Sequence, residues 1–180
     1  MNAVAGKALT SNHFELFGLE PVFALNAESL DSAYRDIQAK VHPDRFAHAG
    51  DAERRASLQW TTRVNEAYRT LKDPVQRAKH ILELNGVDVA FETNTQMPTD
   101  FLMQQLEMRE ELEAAVGKKD SSYLDGLRKK LASQAKRLEG LIGESIDGKQ
   151  DYAGAVELVR KLLFLHKIED EIQSAYDTIE

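Results

Sequence analysis

Apolar residues recur at intervals of three and four along much of the chain, which is the spacing of one face of an α-helix. In the first half the clearest such stripe consists of Leu30, Tyr34, Ile37 and Val41. A helix predicted over about 52–71 has a second stripe on its inner side, made of Leu58, Thr61, Val64, Asn65, Tyr68 and Leu71. The two helices are expected to pack antiparallel as a hairpin.

Residues that cap helices mark where these elements begin. Asn12 and Asn26 are N-cap candidates, because an asparagine side-chain oxygen can accept from the free N–H groups of a first helical turn. Asp73 is followed by Pro74, a pairing typical of a cap and the first helical residue. The first domain is therefore predicted to run over 1–86, beginning with a short helix that reaches about Leu16.

The second half predicts three helices, over about 99–116, 121–142 and 151–179. Turn signals at 117–120 and 143–149 separate them, and connections this short favour antiparallel neighbours. An irregular stretch over 87–98 is predicted to be the linker. The fold class predicted for the whole chain is all-α, with a helical hairpin, a linker and a C-terminal three-helix bundle over 99–180.

The bundle has more apolar residues than its core requires. At about 100° per residue, the core face of the first bundle helix consists of Phe101, Met108, Leu112 and Ala115. Leu102, Met103 and Leu106 lie roughly 100–200° away from that face, beside Glu107 and Glu110. The last helix has a predicted buried stripe of Leu158, Leu162, Leu165 and Ile172, with Phe164 about 120° from its centre. Surplus apolar residues on two helices predict a shared exposed patch, and such a patch usually marks a partner's binding site.

A rigid turn interrupts the helical pattern of the first half at His42-Pro43-Asp44. Proline fixes its own φ, has no N–H to donate and moves the preceding residue out of the α region. The helix before it should therefore end at about Val41 or His42, which leaves two polar side chains on a short exposed loop. In isolation such a tripeptide is usually an ordinary helix-terminating turn, so its meaning depends on the surrounding sequence.

Composition narrows the possible functions. The chain of 180 residues has no cysteine, so it can neither form a disulfide nor hold zinc or an iron–sulfur cluster through thiolates. Basic and acidic residues balance over 1–86, at eleven each, whereas 87–180 has twelve basic and nineteen acidic residues. The acidity of the second half argues against nucleic acid as its partner, because phosphate binding needs clustered basic residues.

Neither a membrane nor a metal is expected as a partner. No apolar run is long enough to span a bilayer, and the N-terminus lacks both the apolar core of a secretory signal and the arginine-rich character of a transit peptide. We therefore expect a cytoplasmic protein. His42, Asp44 and His48 come nearest to a metal-binding set, but no fixed fourth ligand accompanies them, so we expect no metal and no cofactor.

The first 75 residues or so resemble the J-domain of DnaJ-type co-chaperones. The resemblance rests on Tyr34-Arg35, on the tripeptide and on the stretch 64–71. In that family the tripeptide docks on an ATPase chaperone of the DnaK class and triggers ATP hydrolysis. The resemblance implies a chaperone-binding site made of His42, Pro43, Asp44, Arg45, Arg35 and Lys40. Asp31 and Asp36 depart from the strongly basic pattern of this helix, which is compatible with a dedicated chaperone partner.

The second half resembles the HscB family, the J-proteins of iron–sulfur cluster assembly, which work with the chaperone HscA and the scaffold protein IscU. The resemblance rests on the stretches 101–112 and 159–165. It implies an IscU-binding site made of Leu102, Met103, Leu106, Glu107, Glu110 and Phe164, on the face that the helical pattern leaves exposed. The expected function is stimulation of the ATPase of an HscA-type chaperone and delivery of IscU to it, with no chemistry of the chain's own.

Two other functions remain open from the sequence. A J-domain adaptor for a different client protein would share the mechanism of the first domain and differ in the partner of the second. An enzyme that used His42 and Asp44 as an acid–base pair would need a substrate cleft and a group that orients the base, and the sequence shows neither.

Overall fold

The structure is a computed structural model that describes residues 11–89 and 97–179. The chain divides into two compact units, Met1–Ile81 and Leu82–Glu180. Every regular element within the described ranges is helical, which confirms the all-α fold class. Each unit is described by itself below.

The first unit is built on an antiparallel helical hairpin. Its elements are α1 (His13–Phe17), α2 (Ala27–Val41), a 3-10 turn (Pro43–Phe46), α3 (Asp51–Lys72) and α4 (Pro74–Leu84), whose last residues pass into the second unit. The predicted caps are confirmed: the side chains of Asn12 and Asn26 each accept from the backbone N–H three residues on, at 2.9 Å in both cases. Asp73 does the same at the start of α4, at 2.8 Å.

The core of the first unit lies between α1, α2, α3 and α4. Its buried apolar residues include Phe14, Phe17, Phe23, Leu30, Val64, Ala67, Leu71, Val75, Ala78 and Ile81. The prediction for the inner side of α3 is wrong at Leu58, whose side chain is 55% exposed. Ser57 takes the inner position instead, because the sequence Ser57, Thr61, Val64, Tyr68 and Leu71 keeps the four-and-three spacing of one helical face.

The second unit is a three-helix bundle. Its helices are α5 (Thr99–Lys118), α6 (Ser121–Gly143) and α7 (Tyr152–Ile179). Ring contact between Phe101 and Phe164 and an ion pair between Arg109 and Glu171 show that α5 and α7 run parallel. The buried core comprises Met108, Leu112, Ala115, Leu124, Leu127, Leu131, Leu165, Ile168, Ile172 and Ala175. The predicted stripe of α7 is wrong at Leu158, which is half-buried, because Val159 occupies the inner position.

The segment predicted as a turn between α6 and α7 is partly regular. Glu144–Gly148 forms a single π-helical turn, and the N–H of Lys149 donates to the carbonyl of Glu144 at 3.0 Å. Ile146 and Ser145 are buried, and the Ser145 hydroxyl donates to the carbonyl of Asp151 at 2.9 Å. Packing and this hydrogen bond hold the connection in a fixed shape.

The predicted linker over 87–98 is described only at its two ends, since residues 90–96 lie outside the described ranges. At its start Val89 is buried, and the carbonyl of Val89 accepts from the Arg160 guanidinium at 3.0 Å. Val89 therefore packs as part of the second unit.

Candidate functional site

The first candidate surface is the turn that follows α2. His42 leaves the helical conformation with φ −56° and ψ 131°, as a residue before proline should, and Pro43–Phe46 then forms a 3-10 turn. The Asp44 side chain is 90% exposed, with a carboxylate oxygen 3.6 Å from Nδ1 of His42. The Asp44 N–H donates to the same Nδ1 at 3.3 Å. The turn thus presents an exposed carboxylate on a backbone with a defined shape.

Three side chains tie this turn to the hairpin. The Arg45 guanidinium donates to the carbonyl of Ala39 at 2.8 Å. The hydroxyls of Ser57 and Thr61, on α3, donate to the carbonyl of Val41 at 2.6 and 3.3 Å. Arg45 was expected to offer its charge to a chaperone, and here its side chain binds the end of α2. The sequence placed Thr61 on the inner side of α3 but did not reveal its bond, and it did not indicate Ser57 at all, because Val41 lies sixteen and twenty residues away along the chain.

The basic residues of α2 lie on two sides of the helix. His42 follows Arg35 by seven positions, so the two lie about 20° apart around the axis, and Arg35 is exposed. Lys40 is also exposed, but it lies about 160° away from His42. The structure therefore brings Arg35 to the side of the helix where His42 emerges, and it places Lys40 on the opposite side.

A polar network joins the first half of α2 to the last part of α3, at the end of the hairpin away from the turn. The Tyr68 hydroxyl donates to a carboxylate oxygen of Asp31 at 2.8 Å, and the Lys72 ammonium lies 3.4 Å from the same oxygen. The hydrogen bond from Tyr68 is the main reason why the pKa of Asp31 is lowered. The Tyr34 ring stacks on the Tyr68 ring with centroids 4.1 Å apart, and the Tyr34 hydroxyl donates to Asn65 at 2.9 Å. Asp31, which departs from the basic pattern of this helix, thus links α2 to α3 within the hairpin.

The second candidate surface is the outer face of α5. Leu102, Met103 and Leu106 are all exposed, the last two at 59%. Glu107 and Glu110 are exposed on the same side of the helix. The α5 patch, made of Leu102, Met103 and Leu106, therefore lies where the helical spacing predicts it. An apolar group of this kind, unburied in its own unit, is typical of a protein-binding surface.

Phe164, on α7, is half-buried and lies against Phe101, the α5 residue that precedes Leu102. Its ring meets the Phe101 ring edge to face, with centroids 6.2 Å apart, and the Lys167 ammonium lies 5.6 Å from the Phe164 centroid. These contacts hold Phe164 against α5, and it is less exposed than the three residues of the α5 patch.

An ion pair that the sequence analysis missed fixes α5 against α7. The Arg109 guanidinium donates twice to the Glu171 carboxylate, at 3.0 and 2.8 Å. The hydrogen bonds from Arg109 to Glu171 raise the pKa of Arg109. A two-point bond fixes orientation as well as distance, so the face of α5 that carries the patch has a fixed direction.

Within 11–89 and 97–179, no group of three or more histidine, aspartate or glutamate side chains is arranged to hold a metal ion. The same residues include no helix with the length and apolar character needed to cross a membrane.

Comparison with known proteins gives the family. Residues 12–80 match the DnaJ domain, and residues 97–173 match the HSCB C-terminal oligomerisation domain. A co-chaperone protein HscB homolog of Burkholderia vietnamiensis is 47% identical over 174 residues, which cover 96% of this chain and 98% of the relative.

Solved structures agree with the sequence relatives. The chaperone HscB from Vibrio cholerae superposes with a TM-score of 0.82 at 32% identity, covering 94% of this chain and all of the other. Human co-chaperone protein HscB gives a TM-score of 0.84 at 26% identity, covering 91% of this chain and 81% of the other. With both domain types matched in order along nearly the whole length, the chain belongs to the HscB family of J-domain co-chaperones.

Proposed function

We propose that the chain stimulates ATP hydrolysis by an HscA-type chaperone through the His42 turn and delivers IscU to that chaperone through the α5 patch. The observation that carries the proposal is the presence of two unlike exposed surfaces, one in each of the two compact units of the chain. One is a polar turn and the other an apolar helix face. The family supports this division of labour, since a DnaJ domain is followed by an HscB-specific domain.

At the chaperone, Asp44 is the central group. Its carboxylate is almost fully exposed and can accept charge-assisted hydrogen bonds from a basic group on the ATPase, which are stronger than neutral ones. Arg35, on the side where His42 emerges, adds a positive charge that steers association with an acidic chaperone surface. We assign chaperone docking to His42, Pro43, Asp44 and Arg35, with Arg45 shaping the turn and Lys40 at the margin.

At the client, the α5 patch supplies most of the affinity. Complete burial of a leucine or methionine side chain contributes about 1.5–3 kcal/mol, and a few such anchors usually dominate an interface. Glu107 and Glu110 lie beside the anchors, where they would favour a client with nearby basic groups. Phe164 completes the proposed IscU-binding site from α7.

Joining the two surfaces in one chain raises the local concentration of the client at the chaperone. In this proposal the domain over 1–86 docks on the ATPase, the bundle over 99–180 binds IscU, and 87–98 links them. The chain supplies no catalytic group and needs no cofactor. We place its action in the cytoplasm, where ATP is available to the chaperone.

The test is steady-state ATP hydrolysis by HscA, measured with and without IscU. The chain is added as wild type, as His42→Gln, or as Leu102→Ala combined with Leu106→Ala. His48→Gln is the matched control for the turn, because it removes another exposed histidine of the same loop. Leu141→Ala is the control for the patch, because Leu141 is an exposed leucine of the same bundle on a different helix.

We expect His42→Gln to lose stimulation and the double leucine variant to lose only the part that depends on IscU, with both controls unchanged. No stimulation by the wild type would refute the chaperone half. Equal activity of the double variant at limiting IscU would refute the client half. A pull-down that recovers another protein and no IscU would then favour a J-domain adaptor for a different client.

A further inference from the structure

The end of α2 has an unusual hydrogen-bond pattern. In a continuing α-helix the carbonyls of Ala39 and Val41 would accept from the backbone N–H groups four residues on. Pro43 has no N–H to give to Ala39, and the N–H of Arg45 donates to the carbonyl of His42 at 3.1 Å. The tripeptide therefore removes one of the usual N–H donors and redirects the other. The carbonyls of Ala39 and Val41 consequently need other partners.

Side chains replace the missing donors. The Arg45 side chain donates to the carbonyl of Ala39 from within the turn. Ser57 and Thr61 donate to the carbonyl of Val41 from the neighbouring helix α3. The bond from Ser57 is short, at 2.6 Å, and the bond from Thr61 is longer, at 3.3 Å. Val41 is the last residue of α2 and directly precedes the tripeptide. The two hydroxyls therefore attach the start of the tripeptide to α3.

Ser57 occupies a position where an apolar residue would be expected. It is 4% exposed and lies on the core-facing stripe of α3, while its neighbour Leu58 faces solvent. Thr62 shows the ordinary alternative, since its hydroxyl donates to the carbonyl of Leu58 four residues back, at 3.0 Å. Ser57 and Thr61 instead direct their hydroxyls to another helix.

We propose that Ser57, assisted by Thr61, is a positioning residue for the His42-Pro43-Asp44 turn. Its hydroxyl keeps the tripeptide in the conformation that docks on the ATPase chaperone, an inference that rests on the proposed function of that turn. Without this bond the docking conformation is populated for only part of the time. The apparent affinity for the chaperone is then the intrinsic affinity multiplied by the fraction of molecules in the docking conformation, while stimulation at saturation is unchanged.

The test measures stimulation of HscA over a range of chain concentrations for wild type, Ser57→Ala, and Ser57→Ala combined with Thr61→Val or with Thr61→Ser. Alanine is a good helix former, so α3 should fold in all of them. We expect Ser57→Ala to raise the half-maximal concentration about tenfold, on the scale of one part-buried carbonyl left without its main partner. The Thr61→Val combination should raise it further, and Thr61→Ser, which keeps a hydroxyl, should not. Thr62→Val is the matched control and should behave as wild type.

An unchanged half-maximal concentration in Ser57→Ala would overturn the inference, as would a lower maximum with the same half-maximal concentration. If the wild type itself fails to stimulate, the proposed function fails, and hydrogen exchange of the free chain decides about Ser57. The N–H groups of Arg45 and Ala47 are bonded within the turn, and they should exchange several-fold faster in Ser57→Ala, with the middle of α3 unaffected. Equal exchange would show that Ser57 does not hold the turn.

Discussion

At the His42 turn the exposed groups proposed to dock are polar, and hydrogen bonds fix the backbone beneath them. On the α5 patch the groups proposed to dock are apolar, and side-chain packing fixes the helix that carries them. The turn exposes one carboxylate above a set of bonded carbonyls. The patch exposes three large side chains above a buried core. A polar site gains specificity from the placement of a few atoms, while an apolar site gains affinity from area.

The supports of the two surfaces differ in the same way. The turn depends on local conformation, so a single lost hydrogen bond can alter it while the hairpin stays folded. The patch lies on a helix held by an extensive core and by the bond from Arg109 to Glu171. Changes to exposed residues of α5 should therefore affect binding and leave its geometry intact.

The largest expected effect is that of Asp44→Ala. This variant should reduce ATP hydrolysis by HscA to the rate without the chain, because it removes the carboxylate that is proposed to contact the ATPase. The exposed Asp44 side chain supports no core contact, so the free energy of unfolding should change by less than about 0.5 kcal/mol. Single-turnover hydrolysis and chemical denaturation measure the two quantities.

Asp36→Ala is the matched control for Asp44→Ala, since Asp36 is another exposed aspartate of the same hairpin. It should keep nearly full stimulation. Stimulation by Asp44→Ala at the wild-type level would contradict the proposed role of the Asp44 carboxylate. IscU binding by both variants should remain within about twofold of wild type, because neither residue belongs to the proposed IscU-binding site.

The next effect is that of Leu106→Ala on the affinity for IscU. Removal of an anchor that becomes buried in the complex should weaken binding about tenfold to a hundredfold, following the transfer energy of a leucine side chain. Stimulation of HscA without IscU should not change. Titration calorimetry with IscU measures the affinity, and Leu141→Ala should bind as the wild type does. Equal losses from Leu106→Ala and Leu141→Ala would mean that the patch is not the specific surface.

The sequence predicted helix positions well because the signals that start helices are local. Asn26 and Asp73 cap the helices that follow them, and Pro43 ends α2. The inner faces were harder to assign. At Leu58 and Leu158 the prediction chose the larger of two adjacent residues, whereas the smaller neighbour, Ser57 or Val159, faces inward. Ser57 faces inward because its hydroxyl serves a carbonyl of another helix, which apolar spacing cannot reveal.

The candidate sites show the same limit. The exposure of the α5 patch could be predicted because angular position on a helix follows from spacing alone. The bonds from Arg45 to Ala39 and from Arg109 to Glu171 could not, because they depend on how distant parts of the chain pack. Periodicity thus finds which side chains are exposed, and tertiary contacts decide which of the charged ones are already engaged.

Salt should weaken the interaction with the chaperone more than the interaction with IscU, and this effect should be smaller than those of the two substitutions. Raising the ionic strength from about 0.1 M to about 0.5 M shortens the screening length and should raise the half-maximal chain concentration for HscA stimulation about threefold to fivefold. Affinity for IscU should change by less than about twofold, because burial of apolar surface is insensitive to screening. A larger effect of salt on IscU binding would indicate that Glu107 and Glu110 supply more of the affinity than the leucines do.

Acid should weaken the unit that contains the turn, by a modest amount. His80, on α4, is half-buried, its Nε2 accepts from the backbone N–H of His13 at 3.3 Å, and its ring stacks on the His13 ring at 4.3 Å. Burial, with a smaller contribution from the His13 charge, lowers the pKa of His80 from 6.5 to about 4. A proton on Nε2 would remove this acceptor, so the folded unit binds a proton less readily than the unfolded chain does.

The stability that depends on neutral His80 is therefore complete above pH 6.5 and is lost progressively as the pH falls from 6.5 towards 4. Because the ring is partly exposed, solvent screening reduces the effect, and we expect a loss of about 1 kcal/mol between about pH 7 and pH 5. Chemical denaturation of the wild type and of His80→Gln, which keeps an acceptor and cannot titrate, measures this loss. The variant should show a smaller loss over the same range. Equal losses would mean that other groups set the acid sensitivity. Apolar packing, and not the His80 hydrogen bond, would then keep α1 in place in the first unit, just as packing stabilises the bundle.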